Sequence, residues 1–137
     1  MRLFYFVPAV LWFIVTIILL TLPGNDLPHS PLFNLPYFDK CAHVVMFFLL
    51  TTLFCFPFST IKAKQSYITR VFLKITLCVI SYGIIMEFVQ KIFTSTRSFD
   101  VIDILFDSVG SLSGLVAIRQ YAFKKIGPNE NRGRNQN

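Results

Sequence analysis

The sequence predicts an all-α integral membrane protein, a bundle of four transmembrane helices with both termini in the cytoplasm. The prediction depends on an apolar composition, on four apolar segments and on an uneven distribution of basic residues. Of 137 residues, 54% are hydrophobic and 15% are charged, whereas a soluble domain carries about 25% charged residues. The 16 Phe, five Tyr and one Trp supply more apolar surface than one small soluble core can bury. A water-soluble enzyme is therefore excluded.

The first predicted helix covers residues 3–22, an uncharged and almost wholly apolar run. About 20 residues at about 1.5 Å per residue cross a hydrocarbon core of about 30 Å. The run ends in Leu22-Pro23-Gly24 without a small-residue cleavage pattern, so we expect a retained helix and not a signal peptide. Four prolines in residues 23–36 then predict an outer loop, which we expect to cover part of a pocket.

The remaining three helices are predicted at about 39–57, 70–92 and 100–121. Charged and polar side chains interrupt the last two, so a re-entrant hairpin is a less favoured alternative for that pair. Residues 1–126 are expected to form a single membrane domain. The tail, residues 127–137, has almost no apolar side chains and is expected to be a disordered cytoplasmic end.

Basic residues predict the orientation of the bundle. With the amino terminus inside, ten of the 13 Lys and Arg residues fall on the cytoplasmic side, as the positive-inside rule requires. The three on the outer side are Lys40, Lys91 and Arg97. Because the basic residues lie in short flanks between apolar segments, the net charge of +6 marks topology, and nucleic-acid binding is not expected.

Acidic residues follow the opposite distribution. Six of the seven Asp and Glu residues map to the outer side. In the fourth helix, helical spacing places one row of acidic and small residues on a single face. These are Asp100, Asp103, Asp107, Gly110 and Gly114. Because charged groups in a bilayer are costly, this face should turn towards other helices.

Two further helices carry polar pairs at helical spacing, Asp39 with His43 and Glu87 with Gln90. We therefore expect an outward-facing pocket at the level where the three helices meet. Glu87, His43 and Asp103 are the candidate catalytic residues. The predicted ligand-binding residues are Asp39, His43, Glu87, Gln90, Arg97, Asp100, Asp103 and Asp107.

Structural roles are the alternative explanation for these residues. Gly110 and Gly114 are typical of close helix packing, and Glu87 with Arg97 is equally compatible with an ion pair that holds the turn between helices three and four. Asp39 suits the positive end of a helix dipole. As a set, however, the carboxyl groups outnumber the nearby basic groups. Some must be protonated, bound to a cation or available to a basic ligand.

The order of these motifs along the chain resembles the VanZ-like family. The resemblance spans residues 22–114 and is carried by Leu22-Pro23-Gly24, Asp39-Lys40-x2-His43, Gly83-x3-Glu87-x2-Gln90 and Arg97-x2-Asp100-x2-Asp103-x3-Asp107-x2-Gly110-x3-Gly114. It implies a small multi-pass protein of the bacterial cytoplasmic membrane, in a family named for a member that lowers susceptibility to the glycopeptide teicoplanin. Members usually carry Asn where this chain has Asp107.

Three functions are compatible with these residues. The leading hypothesis is a protein that binds or modifies a cell-envelope lipid headgroup or precursor, with acids accepting hydrogen bonds and Arg97 meeting phosphate or carboxylate. The second is an enzyme with Glu87 or His43 as general base and a carboxylate-bound cation such as Mg²⁺. A zinc site is not expected with one available histidine and no Cys pair, and no metal or other cofactor is assigned. The third is a proton-coupled transporter, acting as a homo-oligomer.

Overall fold

The computed structural model describes residues 3–21, 38–61, 63–93 and 100–126, and within these ranges the chain is helical and has no strand. After a 3-10 turn at Leu3–Phe6, the helices are α1 (Val7–Thr21), α2 (Phe38–Ser59), α3 (Gln65–Phe93) and α4 (Val101–Ile126). All four helical segments are long and apolar enough to cross a membrane. The protein is therefore an all-helical, multi-pass membrane protein. The predicted outer loop at 23–36, Arg97 and the tail at 127–137 lie outside the described residues.

Helix ends differ from the apolar segments by several residues. α2 continues two residues past Pro57, although Pro57 has no N–H to donate to the backbone oxygen of Leu53. α3 begins at Gln65, five residues before its apolar segment, and α4 continues to Ile126. Hydropathy identifies only the part of a helix that is apolar enough to lie in lipid. Polar turns at the ends continue the same backbone hydrogen bonds, so the helices are longer than their apolar segments.

The helices run alternately up and down, so α2 and α4 are parallel and begin at the same end of the bundle. Their interface is the most extensive in the protein. A Cβ atom on Gly110 would lie 2.4 Å from the backbone oxygen of Val44, and one on Gly114 would lie 2.7 Å from that of Phe48. The expectation that these glycines closely face another helix is confirmed. Their lack of side chains lets the two backbones approach and sets the register.

One face of α4 is buried along its whole length, with a helical period. The buried positions are Asp103, Asp107, Gly110, Ser111, Gly114, Ile118 and Ala122. From the start of α4 to its end, the residues on this face change from acidic to small and then to mainly apolar. We call the end where α2 and α4 begin the polar end, and the opposite end the apolar end.

Two apolar clusters hold the bundle together. One joins α1, α2 and α3 and consists of Leu20, Met46, Phe47, Leu50, Val79 and Met86. The other lies at the apolar end, joins α2, α3 and α4, and consists of Cys55, Ile68, Phe72, Ile118 and Ala122. α1 packs on α2 and α3, and the Trp12 indole N–H donates a 3.1 Å hydrogen bond to the backbone oxygen of Met46.

Candidate functional site

Polar side chains from three helices meet at the polar end of the bundle. The first turns of α2 and α4 and the last turns of α3 supply them, because these termini lie together in the up-and-down arrangement. The buried members are His43, Glu87, Gln90, Asp103 and Asp107, each no more than 8% exposed. The partly exposed or exposed members are Asp39, Lys40 and Asp100. The group thus runs from an accessible rim to a buried floor.

His43 and Asp107 form the floor. His43 Nδ1 lies 2.8 Å from Asp107 Oδ1, and both side chains are almost completely buried. Because an ionised carboxylate only accepts hydrogen bonds, Nδ1 carries the proton and is the donor of this hydrogen bond. The other ring nitrogen, Nε2, is buried and has no hydrogen-bond partner among the described residues. A buried imidazole nitrogen without a partner is costly, so it marks a position that a ligand can satisfy.

Gly83 on α3 makes room for this pair. A Cβ atom at this position would lie 2.8 Å from Asp107 Oδ2 and 3.0 Å from the Phe47 ring. Any larger residue would therefore force the Asp107 or Phe47 side chain to move. Gly83 was recognisable in the sequence as part of the Gly83-x3-Glu87 face, but its role as space for Asp107 depends on how α3 packs against α4.

Lys40 bridges two acids at the rim. Its ammonium nitrogen lies 3.1 Å from Asp103 Oδ1 and 3.3 Å from Asp100 Oδ2. The Lys40 side chain is 19% exposed and that of Asp100 is 39% exposed, so water reaches this bridge. Lys40 was not among the predicted site residues. Its position three residues before His43, on the same helix face, is the signal that identifies it.

Asp100 caps the start of α4. Its Oδ1 accepts a 2.8 Å hydrogen bond from the Ile102 N–H, and its backbone oxygen accepts one from the Asp103 N–H. The Ile102 N–H, with help from the Lys40 ammonium, holds the pKa of the Asp100 carboxyl below its ordinary value of 3.8. Aspartate at this position satisfies amide donors that the helix itself leaves unpaired.

Glu87 and Gln90, predicted as ligand-binding residues, each contact a helix end. Glu87 Oε2 accepts a 3.2 Å hydrogen bond from the Asp100 N–H, so α3 holds the start of α4. The Gln90 amide donates a 2.8 Å hydrogen bond to the backbone oxygen of Leu20, near the end of α1. Both contacts satisfy backbone groups at helix termini, which have no partner within their own helix.

Asp39, His43 and Asp103 come together as a possible donor set for a metal ion. One donor atom from each residue lies within 4.8 Å of the other two. Asp39 is exposed, whereas the other two residues are buried. The set therefore combines two carboxylates and one imidazole, from two parallel helices.

Carboxyl groups remain in excess over basic groups at the polar end. The described acids are Asp39, Glu87, Asp100, Asp103 and Asp107. The described basic side chains on the same side are Lys40, which bridges two of them, and Lys91, which is exposed in the last turn of α3. Helix dipoles stabilise acids in the first turn of α2 and α4, but this effect falls off within one turn. It does not account for Asp107, which lies about 10 Å along the helix from Asp100 at 1.5 Å per residue.

The chain is similar to an uncharacterized protein of the fission yeast Schizosaccharomyces pombe, to which it is 33% identical over 93 residues. The match covers 68% of this chain and 54% of the relative, so the chain spans about half the length of that protein. No protein-family model matches the chain, and no solved structure is significantly similar to it.

Proposed function

We propose that this chain is a VanZ-like membrane protein that binds the polar headgroup of a membrane lipid at the polar end of its bundle. The observation that carries the proposal is the excess of carboxyl groups in a buried cluster between helices that are apolar enough to span a bilayer. Charged groups at such a depth cost free energy, and they are usually retained for a ligand or for transport. The cluster is therefore more than a means of packing helices.

The chemistry of the cluster favours a headgroup that has amine or hydroxyl donors next to a phosphate. Carboxylates such as Asp103 and Asp39 accept hydrogen bonds from amines and hydroxyls. Lys40, which is already held at the rim between two acids, can meet a phosphate. Arg97 is the second candidate for the phosphate, as the sequence suggests. A lipid headgroup lies at the membrane surface, where we expect the exposed rim of the cluster to lie.

The resemblance adds a cellular context to this proposal. It favours the cytoplasmic membrane of a bacterium, with both termini inside and the polar end outside. Lower susceptibility to glycopeptides is the phenotype it implies. Expression of the protein and of its Glu87→Gln variant in a teicoplanin-sensitive bacterium tests that phenotype. The fission-yeast relative favours a headgroup found in many kinds of membrane over a precursor found only in bacterial cell walls.

An enzyme at the same site is the second candidate, and the donor set of Asp39, His43 and Asp103 is the observation that favours it. A bound cation can polarise a phosphoryl or carbonyl group, and Glu87 or His43 can act as general base. Transport has less support, because the described core at the apolar end is built from apolar side chains.

Lipid selectivity tests the headgroup proposal directly. The protein is placed in phosphatidylcholine nanodiscs that contain EDTA and a spin-labelled guest lipid, and electron paramagnetic resonance measures the motionally restricted fraction. We expect a preference of several fold for phosphatidylethanolamine over phosphatidylcholine, because the methylated amine of the latter donates no hydrogen bond. Phosphatidylglycerol tests whether hydroxyl donors suffice. Equal fractions for all three lipids with the folded protein would contradict the proposal.

Two variants assign the selectivity to the polar end. Glu87→Gln keeps an oxygen that accepts the Asp100 N–H, and His43→Ala removes the imidazole, so both should fold yet lose the lipid preference. Lys64→Gln removes an exposed charge at the other end of the bundle and should retain it. If the cluster is only a structural ion-pair network, Glu87→Gln and Arg97→Gln should instead each lose folded protein, and the double variant should partly recover it.

A further inference from the structure

We propose that Asp39, His43 and Asp103 bind a divalent transition-metal ion, and that Asp107 orients the imidazole for it. The inference deepens the proposed function, since it rests on the same cluster being a binding site. It specifies a cation as the partner of the excess carboxylates. Four features bear on this site: the spacing of the donor atoms, the hydrogen bonding of His43, the position of Lys40 and the kind of metal that fits.

The donor atoms lie near the spacing that a metal ion needs. Bonds from a divalent transition metal to nitrogen and oxygen are about 2.0–2.2 Å long, so two ligands of one ion lie about 3–4.4 Å apart, depending on the angle between them. The three donor atoms, one from each residue, lie within 4.8 Å of each other. Binding therefore requires the donors to move slightly closer together, and Asp39, which is exposed, is the donor best placed to move.

His43 supplies independent support for the site. Its Nδ1 is engaged by Asp107 at 2.8 Å, and its Nε2 is buried with no hydrogen-bond partner in the described part of the chain. A histidine that binds a metal through one nitrogen usually donates its other N–H to a carboxylate or carbonyl group. Asp107 provides that carboxylate, and the absence of a side chain at Gly83 leaves room for it. A structural histidine would be expected to satisfy both nitrogens.

Lys40 occupies one side of the site with a positive charge of its own. Its ammonium nitrogen contacts Asp103 Oδ1 at 3.1 Å, so Lys40 shares the Asp103 carboxylate with the proposed ion. A lysine at this distance repels a second cation. It therefore weakens metal binding, and removing its charge should make binding tighter. A purely structural role for the ion pair makes no such prediction.

The mixed donor set selects the class of metal. Imidazole favours transition metals, whereas Mg²⁺ prefers oxygen ligands and retains several waters. Mn²⁺ accepts both carboxylate and imidazole and is a direct spectroscopic probe. Zn²⁺ should compete with it, because Mn²⁺ is the weakest binder among the divalent first-row metals from Mn²⁺ to Zn²⁺. Three protein ligands leave positions open on the rim side, where Asp39 is exposed and a substrate or headgroup oxygen can bind.

The test is a Mn²⁺ titration of the full-length protein in nanodiscs of phosphatidylcholine, after treatment with EDTA and its removal. The free-ion resonance measures binding, and pulsed resonance detects nitrogen coupled to the bound ion. We expect one site with nitrogen coupling, displaced by Zn²⁺ and only weakly by Mg²⁺. His43→Ala should abolish the nitrogen coupling. Asp39→Asn and Asp103→Asn should each weaken binding by about tenfold or more, and Asp107→Asn by about tenfold.

Two variants test whether binding follows the donor set or the local charge. Asp100→Asn removes an acid at the same end that is not in the donor set, so it should weaken binding less than Asp39→Asn does. Lys40→Gln should tighten binding by about threefold or more. Since Asp39 is exposed, Asp39→Asn should fold even where a buried variant fails. His43→Gln is the second variant if His43→Ala does not fold.

Several outcomes would overturn the metal site. One is that folded wild-type protein binds no Mn²⁺, and another is that the bound ion shows no nitrogen coupling. A third is that Asp100→Asn and Asp39→Asn weaken binding equally, because that result would indicate a diffuse acidic surface and not a defined site. The lipid measurement in EDTA separates this inference from the proposed function. Lipid preference without Mn²⁺ binding refutes the metal site alone, whereas Mn²⁺ binding at the three donors without any lipid preference supports the metal site and refutes the headgroup proposal.

Discussion

The two ends of the interface between α2 and α4 differ in chemistry although the same pair of parallel helices forms both. At the polar end, His43 and Asp107 share a buried hydrogen bond and Lys40 bridges two acids. At the apolar end, Cys55 packs with Ile118 and Ala122. Between the two ends, Gly110 and Gly114 bring the helix backbones into contact.

The apolar end shows what is sufficient to hold these helices together. Close packing of small and apolar side chains provides the attraction between helices in lipid, because lipid tails are as apolar as the side chains themselves. A buried ion pair, by contrast, often contributes no more stability than apolar residues of the same size. If the polar end is a binding site, changes there should affect function more than stability, and changes at the apolar end should do the reverse.

The largest expected effect is at the shared middle of the interface. Gly110→Leu places side-chain atoms where a Cβ would already lie 2.4 Å from the Val44 backbone oxygen, so both ends should separate and little folded protein should remain. Val109→Leu is the matched control, because Val109 is 53% exposed and faces away from α2. Size-exclusion chromatography of the detergent extract measures folded yield. Normal yield of Gly110→Leu would mean that the interface is looser than described.

A cavity at the apolar end should cost stability without changing ligand binding. Phe72 is completely buried, and Phe72→Ala should lower thermal stability by about 1–3 kcal/mol, since the loss of packing persists in lipid. Lipid preference and Mn²⁺ binding of the remaining folded protein should be unchanged. The exposed Leu73 is the control position, where Leu73→Ala should have little effect. Loss of lipid preference in folded Phe72→Ala would show that the two ends are coupled.

At the polar end we expect smaller effects on stability and larger effects on function. Asp107→Ala removes the partner of His43 Nδ1 and should cost about 1 kcal/mol, the usual size for a hydrogen bond between membrane helices. Asp107→Asn keeps an oxygen acceptor and should be nearly neutral in thermal unfolding. A cost of Asp107→Asn as large as that of Phe72→Ala would favour a structural role for the pair.

The last prediction concerns orientation and should leave stability unchanged. In a background in which Cys41, Cys55 and Cys78 are replaced, a single cysteine at the exposed Ser66 should react with an impermeant reagent only after the membrane is opened. A cysteine at Phe93, near the polar end and 79% exposed, should react from outside. The reverse pattern would place the polar end in the cytoplasm.

Much of the fold was predictable because its signals are local. Four apolar segments of sufficient length predict four helices, and the helices lie where expected except at their ends, where polar turns of α3 and α4 extend them. The buried face of α4 was also predictable, since Asp103, Asp107, Gly110 and Gly114 repeat with the helical period. Periodicity states which side of a helix is turned inwards.

The partners of the polar side chains were not predictable in the same way. The sequence offered Glu87 as a candidate catalytic residue, but it did not indicate that Glu87 holds the start of α4 or that His43 and Asp107 form the floor of the cluster. Gln90 bonds to the backbone of α1, at a distance of 70 residues along the chain. Each of these contacts depends on how far one helix is shifted and rotated against the next.

Composition, hydropathy and helical period were therefore enough to predict a membrane protein, the four helices of its described residues and the inward face of α4. They did not predict the register of α2 against α4, which Gly110 and Gly114 set by contact with two backbone oxygens. That register brings His43 to Asp107 and leaves His43 Nε2 without a partner among the described residues. Hydropathy and helical period act within one segment, whereas register between helices depends on the fit of side chains that lie far apart in the chain.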